Sequence, residues 1–403
     1  MSLLEVITKA SSLIATGPDD ETNYPIVLNP EPILLNLKPE YDCSQALNSV
    51  KKVTGWEISQ TDNELIELGH KFFEELKRKL KNTNSFGFGK VMFVETVTSH
   101  LDSIANKIGV STAAEKTEGA YVCKLVEKLE VLMCSDVKGL ILEGCISLEV
   151  WDVLESLIVN GVVEHASISS LVQKLIEKRR SNLVVLCLKH LFDLQAYDLM
   201  CILKYFLMLP SDGYRSLLSV REVWERQASL VIEKVSAKGV GGKEKSLAVL
   251  IMLGHDGFLV SELCLHYFMA SANLDEVIFS ACVSKLNGKE LKVLIQYFGK
   301  WLRTYERFPQ ACPCPKGSSA LGLEICGWIP SLENIVKYFG VVVDLHFSSL
   351  VLHSEFHELR SLEEVVNSLA VEARLSGGLA NLSERLRIEC QAYHKDSLGN
   401  FAF

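Results

Sequence analysis

Two stretches of apolar residues at helical spacing are separated by a segment through which no helix can run, and that pairing limits what the chain can become. The segment is Phe308-Pro309-Gln310-Ala311-Cys312-Pro313-Cys314-Pro315. Its prolines remove amide donors, fix φ and bias the residue before each of them away from helix. Ahead of it, Leu291, Leu294, Ile295, Phe298, Leu302 and Tyr305 recur at steps of three and four between Lys289 and Arg307, with Trp301 beside them. Beyond it, Leu332, Ile335, Val336, Phe339, Val342, Val343, Phe347, Leu350 and Val351 do the same between Ser331 and Leu352. Ser331 directly follows Pro330 and is placed to cap the second helix through its hydroxyl. The two helices are expected to pack face to face across the elbow, each presenting a broad apolar side.

The same signals recur along most of the chain. Thr61-Asp62-Asn63-Glu64 reads as a capping box opening a helix through Leu80, and a further helix is expected over Val91 to Ile108. From Gly119 to Leu209 the helical patterns shorten to roughly 10–15 residues, as in stacked helix pairs. Ser135, Ser147, Ser181 and Ser211 each precede one. Tyr214 to Lys234 is predicted as a longer helix ended by Lys238-Gly239-Val240-Gly241-Gly242-Lys243. Asn273-Leu274-Asp275-Glu276, Asn287-Gly288-Lys289-Glu290 and Ser361-Leu362-Glu363-Glu364 place polar caps ahead of acids. The last of these opens a helix to Leu375, followed by a Gly377-Gly378 break and a terminal helix from Asn381 to about His394. No stretch sustains the alternation of a strand. The fold expected is therefore all-α, an irregular α-solenoid or helical-repeat-like array of antiparallel helix pairs, without a fixed-period consensus of the tetratricopeptide or ankyrin kind. Residues 1–60 read as an N-terminal helix plus a Pro-rich extended linker, 61–310 as the helical array, and 311–403 as a C-terminal helical region after the elbow.

With 403 residues, 48% of them hydrophobic, the chain has ample core material. A net charge of -9 argues against coating nucleic acid by bulk electrostatics and favours protein partners. The first residues lack the uninterrupted apolar core of a signal peptide, and the apolar runs are broken by Lys189, His190, Asp344 and His346, so no transmembrane helix is expected. Most of the twelve cysteines lie singly on apolar helical faces, as reduced core residues do in cytosol or nucleus.

No motif points to catalysis. Gly239 to Lys243 fails as a phosphate loop, since Ala237 and Glu244 stand where Gly and Ser or Thr belong. Cys312, Cys314 and Cys326, with His353 or His357, could offer ligands to zinc, but paired C-x-x-C knuckles are missing and an elbow packed by small cysteines is the plainer reading. The basic clusters Lys77-Arg78-Lys79-Leu80-Lys81 and Lys178-Arg179-Arg180 close helices, where the dipole favours cations, and neither has aromatic residues interleaved. The expectation is no enzyme, no cofactor and no metal. Trp301, Tyr305 and Phe308 share one side of a helix running into Pro309, and these four residues serve either as core or as a patch that anchors a protein partner.

The run Tyr297-Phe298-Gly299-Lys300-Trp301-Leu302-Arg303-Thr304-Tyr305-Glu306-Arg307-Phe308-Pro309, then Pro330-Ser331-Leu332 and Val343-Asp344-Leu345-His346-Phe347-Ser348-Ser349-Leu350-Val351, resembles the C-terminal helical region of the nucleolar protein eleven family. The resemblance covers about a quarter of the chain. It implies a nucleolar, non-catalytic scaffold of the small-subunit processome, concerned with pre-rRNA transcription and early processing, whose partners are other processome subunits. Pre-rRNA would be contacted at most indirectly, with no membrane and no small-molecule substrate. The N-terminal β-propeller usual in that family has no counterpart in the strand and turn spacing here. A cytoplasmic helical-solenoid adaptor for complex assembly or trafficking is the alternative.

Overall fold

The computed structural model describes residues 59–81, 88–110, 118–210, 213–236, 242–308, 324–352 and 359–371. The chain divides into two compact units, Met1–Gln60 and Thr61–Phe403. The expected N-terminal helix and Pro-rich linker, Ser211, Pro309 and the elbow through 323, His353, His357 and the terminal helix from Asn381 lie outside the described residues. Every regular element among the described residues is a helix, so the fold is all-α.

The second unit opens with an antiparallel pair, α1 (Gln60–Lys81) and α2 (Lys90–Ile108). Lys107 pairs with Glu64 near one end, the Phe72 and His100 rings stack at 3.9 Å in the middle, and Lys79 Nζ reaches Thr96 Oγ1 at 3.4 Å near the other. Then come α3 (Glu118–Leu129), a 3-10 turn (Glu130–Leu132), α4 (Ser135–Ser147), α5 (Trp151–Val159), α6 (His165–Glu177), α7 (Ser181–His190), α8 (Ala196–Leu207) and α9 (Tyr214–Ser236). Packing here follows two rows: α3, α5, α7 and α9 each contact the next, as do α4, α6 and α8, while α4 with α5 and α6 with α7 close as hairpins. Four side-chain hydrogen bonds span 29 residues each: Cys123 Sγ to Asp152 O, Ser135 Oγ to Glu164, Ser169 Oγ to Asp198, and Lys178 Nζ to Glu149. The helix pairs thus repeat in space at a spacing that no residue consensus marks.

Tight connectors make that spacing possible. At the ends of α2, α4, α5 and α6 an amide two or three places past the helix returns to a carbonyl five residues back: Val110 to Ala105, Val150 to Cys145, Val162 to Leu157 and Arg180 to Leu175. Each such turn needs one left-handed residue. Gly109 and Gly161 fill two of these positions at φ 77° and 69°, but Glu149 and Arg179 fill the others at 55° and 56°. The serines expected as caps do something else. Ser135 and Ser181 are the first residues inside their helices, Ser147 is the last residue of α4, and Cys134 and Arg180 stand at the cap positions without a side-chain bond. Ser181 Oγ, wholly buried, is instead 2.7 Å from Tyr205 Oη, tying α7 to α8. Likewise α1 starts at Gln60, one residue before the expected cap Thr61, and Ser361 lies inside the helix of residues 359–371 with its Oγ on Arg303.

The remainder is α10 (Gly242–Asp256), α11 (Val260–Met269), α12 (Glu276–Val283), α13 (Gly288–Arg307), a 3-10 turn (Glu324–Trp328), α14 (Leu332–Leu352) and α15 (residues 359–371). The Asn287 capping box is present: its Oδ1 accepts from the Lys289 and Glu290 amides at 3.0 Å, and Glu290 returns to the Asn287 amide at 2.8 Å. Ser331 caps α14 through the Asn334 amide at 3.1 Å. For α12, however, the cap is Asp275, whose Oδ1 takes the Ile278 amide at 2.7 Å, and not Asn273. Here the two-row order gives way. Helix α11 packs on α7, α8 and α9 together, and its residues from Glu262 to Met269 are all buried. Helix α14 packs on α12 and α13, with Tyr338 donating to Leu274 O and His346 bonded to Val283 O.

The broad apolar face expected for α14 is only partly covered. Ile335, Tyr338, Val342 and Leu350 are buried, but Val336, Phe347 and Val351 face outward. Glu324–Leu352 is also, by length and composition, apolar enough to cross a membrane, which the charged interruptions in the sequence had argued against. In this chain α14 is fastened to α12 and α13, and its second apolar stripe is left over.

Candidate interaction surface

The aromatic side of α13 faces inward. Trp301 and Tyr305 are enclosed, with their rings 5.6 Å apart, and the Tyr305 hydroxyl donates to Pro330 O. Trp301 lies 4.8 Å from Phe258 and 5.0 Å from His266 between ring centroids. Of the two readings of this patch, burial makes Trp301 and Tyr305 core. Phe308 is half-buried at the end of α13 beneath the Arg307 guanidinium. Two polar devices lock the cluster. Glu262 accepts the Leu259 amide at 2.6 Å, capping α11, and takes Lys300 Nζ at 2.6 Å and 2.8 Å. His266 lies between Tyr297 Oη at 2.8 Å and Gly254 O at 3.2 Å. A carbonyl only accepts, so His266 Nε2 carries the proton and Nδ1 accepts from the tyrosine. Burial drives His266 down to about 3, against the opposing pull of the Gly254 carbonyl, and holds Tyr297 well above its ordinary value.

Other histidines and cysteines buried in the core are likewise held in their uncharged forms. Burial pushes Cys187 and Cys282 up to about 12 and Cys145 and Cys264 further still, so none offers a thiolate near neutrality. His100, pressed on Phe72, is lowered to about 4 by burial. Cys326 is buried in the 3-10 turn, while Cys312, Cys314, His353 and His357 lie outside the described residues. Among the described residues, no three or more His, Cys, Asp or Glu gather as a metal would require. The basic clusters acquire in space the aromatic neighbours they lack in sequence: Arg180 lies 4.5 Å over Trp151, Lys77 is 4.9 Å from Phe73 and Lys79 is 5.7 Å from Phe88. Lys79 and Lys178 are also paired, with Glu75 and Glu149.

What stands out on the surface is the connector between α7 and α8, which the sequence motifs did not mark. Leu191 and Leu194 are buried, and between them Phe192 is 72% exposed. Asp193 turns the chain in the left-handed region at φ 66°. Both shoulders are clamped by one amide: Asn273 Nδ2 donates to Leu191 O at 2.8 Å and its Oδ1 accepts from Leu194 N at 3.3 Å. That is why Asn273 is not the cap of α12. Cys282 Sγ reaches Ala196 O at 3.5 Å, holding α12 against the start of α8. Tyr197, in the first turn of α8, and Val277, in the first turn of α12, are exposed on these same clamped segments. An exposed aromatic on a fixed turn loses little freedom when a partner covers it, which is what an interface anchor requires. The arrangement can bind by contact. A buried-exposed-turn-buried pattern, Leu191-Phe192-Asp193-Leu194, is the only trace of it in the sequence.

No family model, no curated protein and no solved structure matches this chain.

Proposed function

We propose that the chain is a non-catalytic scaffold subunit acting through protein–protein contacts, and that its setting is the small-subunit processome of the nucleolus. The setting rests on the resemblance carried by Tyr297 to Pro309, Pro330 to Leu332 and Val343 to Val351. The contact part rests on one observation, the exposed Phe192 on a turn clamped by Asn273, with Tyr197 and Val277 exposed on the two helices that the Cys282 contact to Ala196 holds together. The uncharged state of the buried histidines and cysteines supports a scaffold over an enzyme, because such groups are poor bases and nucleophiles near neutral pH. With a net charge of -9, RNA would be met through partners, and generic RNA binding should fade as salt rises.

The test uses the tagged full chain and a Phe192→Ala/Tyr197→Ala double variant. A nucleolar signal with co-purified processome subunits is expected for the parent chain. The variant should keep its melting temperature, since both side chains are exposed, and lose those partners. A cytosolic or vesicular signal would favour the trafficking or assembly adaptor instead. A variant that retains every partner would remove Phe192 and Tyr197 from the interface.

A further inference from the structure

Three cations of this acidic chain stand at the starts of helices, where the fold itself does not favour them. Lys90 is the first residue of α2, Arg180 holds the cap position of α7, and Arg215 is the second residue of α9. The helix dipole disfavours positive charge at such places, and none of the three helices has an acid in its first turn. The fold gathers them in one row. Ser216 Oγ accepts from the Ser181 amide at 3.0 Å and lies 3.1 Å from Arg179 O, which ties the start of α9, with Arg215, to the start of α7. Glu149, on the turn between α4 and α5, binds Lys178 Nζ at 3.1 Å. That bond first, and then the nearby charges of Lys178, Lys90 and Arg180, hold its carboxyl below the usual carboxylate range.

Lys178 is offset by Glu149. Among the described residues the side chains of Lys90, Arg180 and Arg215 have no hydrogen-bond or ion-pair partner, so their charges stand uncompensated on a chain whose net charge is -9. Arg180 is also set in place beforehand: its guanidinium lies 4.5 Å over the half-buried Trp151 ring. A guanidinium steadied on a ring keeps its fork of N–H donors ready for a planar, bidentate acceptor, which a carboxylate is. Single-stranded RNA fits less well. It needs open aromatic faces to stack on, and Arg180 occupies the face of Trp151. Its unbroken line of phosphates would also run against Glu149, whereas carboxylates spaced along a peptide can step past it.

We propose that the row from Lys90 through Arg180 to Arg215 docks an acidic segment of a partner protein, with Arg180 donating its fork to an Asp or Glu carboxylate and the other two cations flanking it. This surface is separate from the Phe192 turn, and it stands or falls independently of the processome reading.

The probe is a short fluorescein-labelled peptide of alternating Glu and Ala, titrated with the full chain at low salt and followed by fluorescence anisotropy. Saturable binding that weakens as salt rises is expected. Affinity should fall roughly tenfold or more in Arg180→Gln, and also in Arg180→Lys, because lysine keeps the charge and loses the fork. Arg215→Gln, fully at the surface, should weaken binding without altering the melting temperature, and Glu149→Gln should tighten it by removing the competing carboxylate. Lys77→Gln/Lys81→Gln, on the other basic cluster, should bind as the parent does. No binding by the parent, full affinity in Arg180→Lys or Arg215→Gln, weaker binding in Glu149→Gln, or an equal loss in Lys77→Gln/Lys81→Gln would overturn the proposal. So would tighter binding of a uridine oligonucleotide of the same length, which would make the row a nucleic-acid surface.

Discussion

Gly144→Ala should destabilise this protein even though the same change on an open helix face would help it. Alanine in place of glycine within a helix is worth about 0.5–1 kcal/mol of stability. At Gly144, on α4, an added Cβ would stand 2.8 Å from Phe93 Cζ and closer still to Cε2. The Phe93 ring cannot move aside cheaply, because it is wholly buried and set edge-on to Phe88 at 6.4 Å. Overfilling a packed core costs about 1–3 kcal/mol, so the net effect expected is a loss of roughly 0.5–2 kcal/mol. A second background isolates the cause. Phe93→Leu removes the two atoms in conflict, and there Gly144→Ala should recover its helix-forming benefit and become neutral or stabilising. Equilibrium urea unfolding followed by far-ultraviolet circular dichroism, on all four chains of the cycle, measures the coupling. Stabilisation by Gly144→Ala in the parent, or the same change in both backgrounds, would show that Gly144 does not mark a close approach of α2 to α4.

Trp301→Ala should cost about 3–5 kcal/mol or abolish soluble expression, because the ring is fully enclosed; an unchanged melting temperature would contradict the packing around it. Arg179→Gly should raise stability by about 0.5–1 kcal/mol by relieving a left-handed backbone, a gain that chemical denaturation resolves and whose absence would mean that the turn carries no strain. The buried histidines set a pH dependence with a definite sign. Both His266 and His100 have folded values below the ordinary 6.5, at about 3 and about 4, so between those values and 6.5 the unfolded chain binds more protons. Stability should therefore be level above about pH 7 and fall with acidification by up to about 1.4 kcal/mol per pH unit for each histidine. His100→Phe, which keeps a ring against Phe72, should reduce the slope between pH 6.5 and 5, and an unchanged slope would show that His100 does not titrate this way.

The sequence by itself determined that this protein is all-helical and where several of its helices begin, because three- and four-residue periodicity and capping are local physics. Asn287 with Glu290, and Ser331 after Pro330, act within a few residues of themselves, and the structure keeps them where the pattern put them. Other polar residues look the same in sequence and have been recruited by distant partners. Ser181 pairs with Tyr205, and Asn273 clamps a turn some eighty residues away, which leaves the capping of α12 to Asp275. The left-handed turns at Glu149 and Arg179 carry no glycine to announce them, since the packing of the hairpins they close is sufficient to hold the strained backbone. Only the tertiary structure decided which aromatics are spent on the core and which are left outside. Periodicity reports that a helix has an apolar side, but burial depends on what arrives to cover it. For Trp301 the cover is Phe258, His266 and Tyr305. Phe192 stays exposed because the chain buries the leucines on either side of it and turns at Asp193.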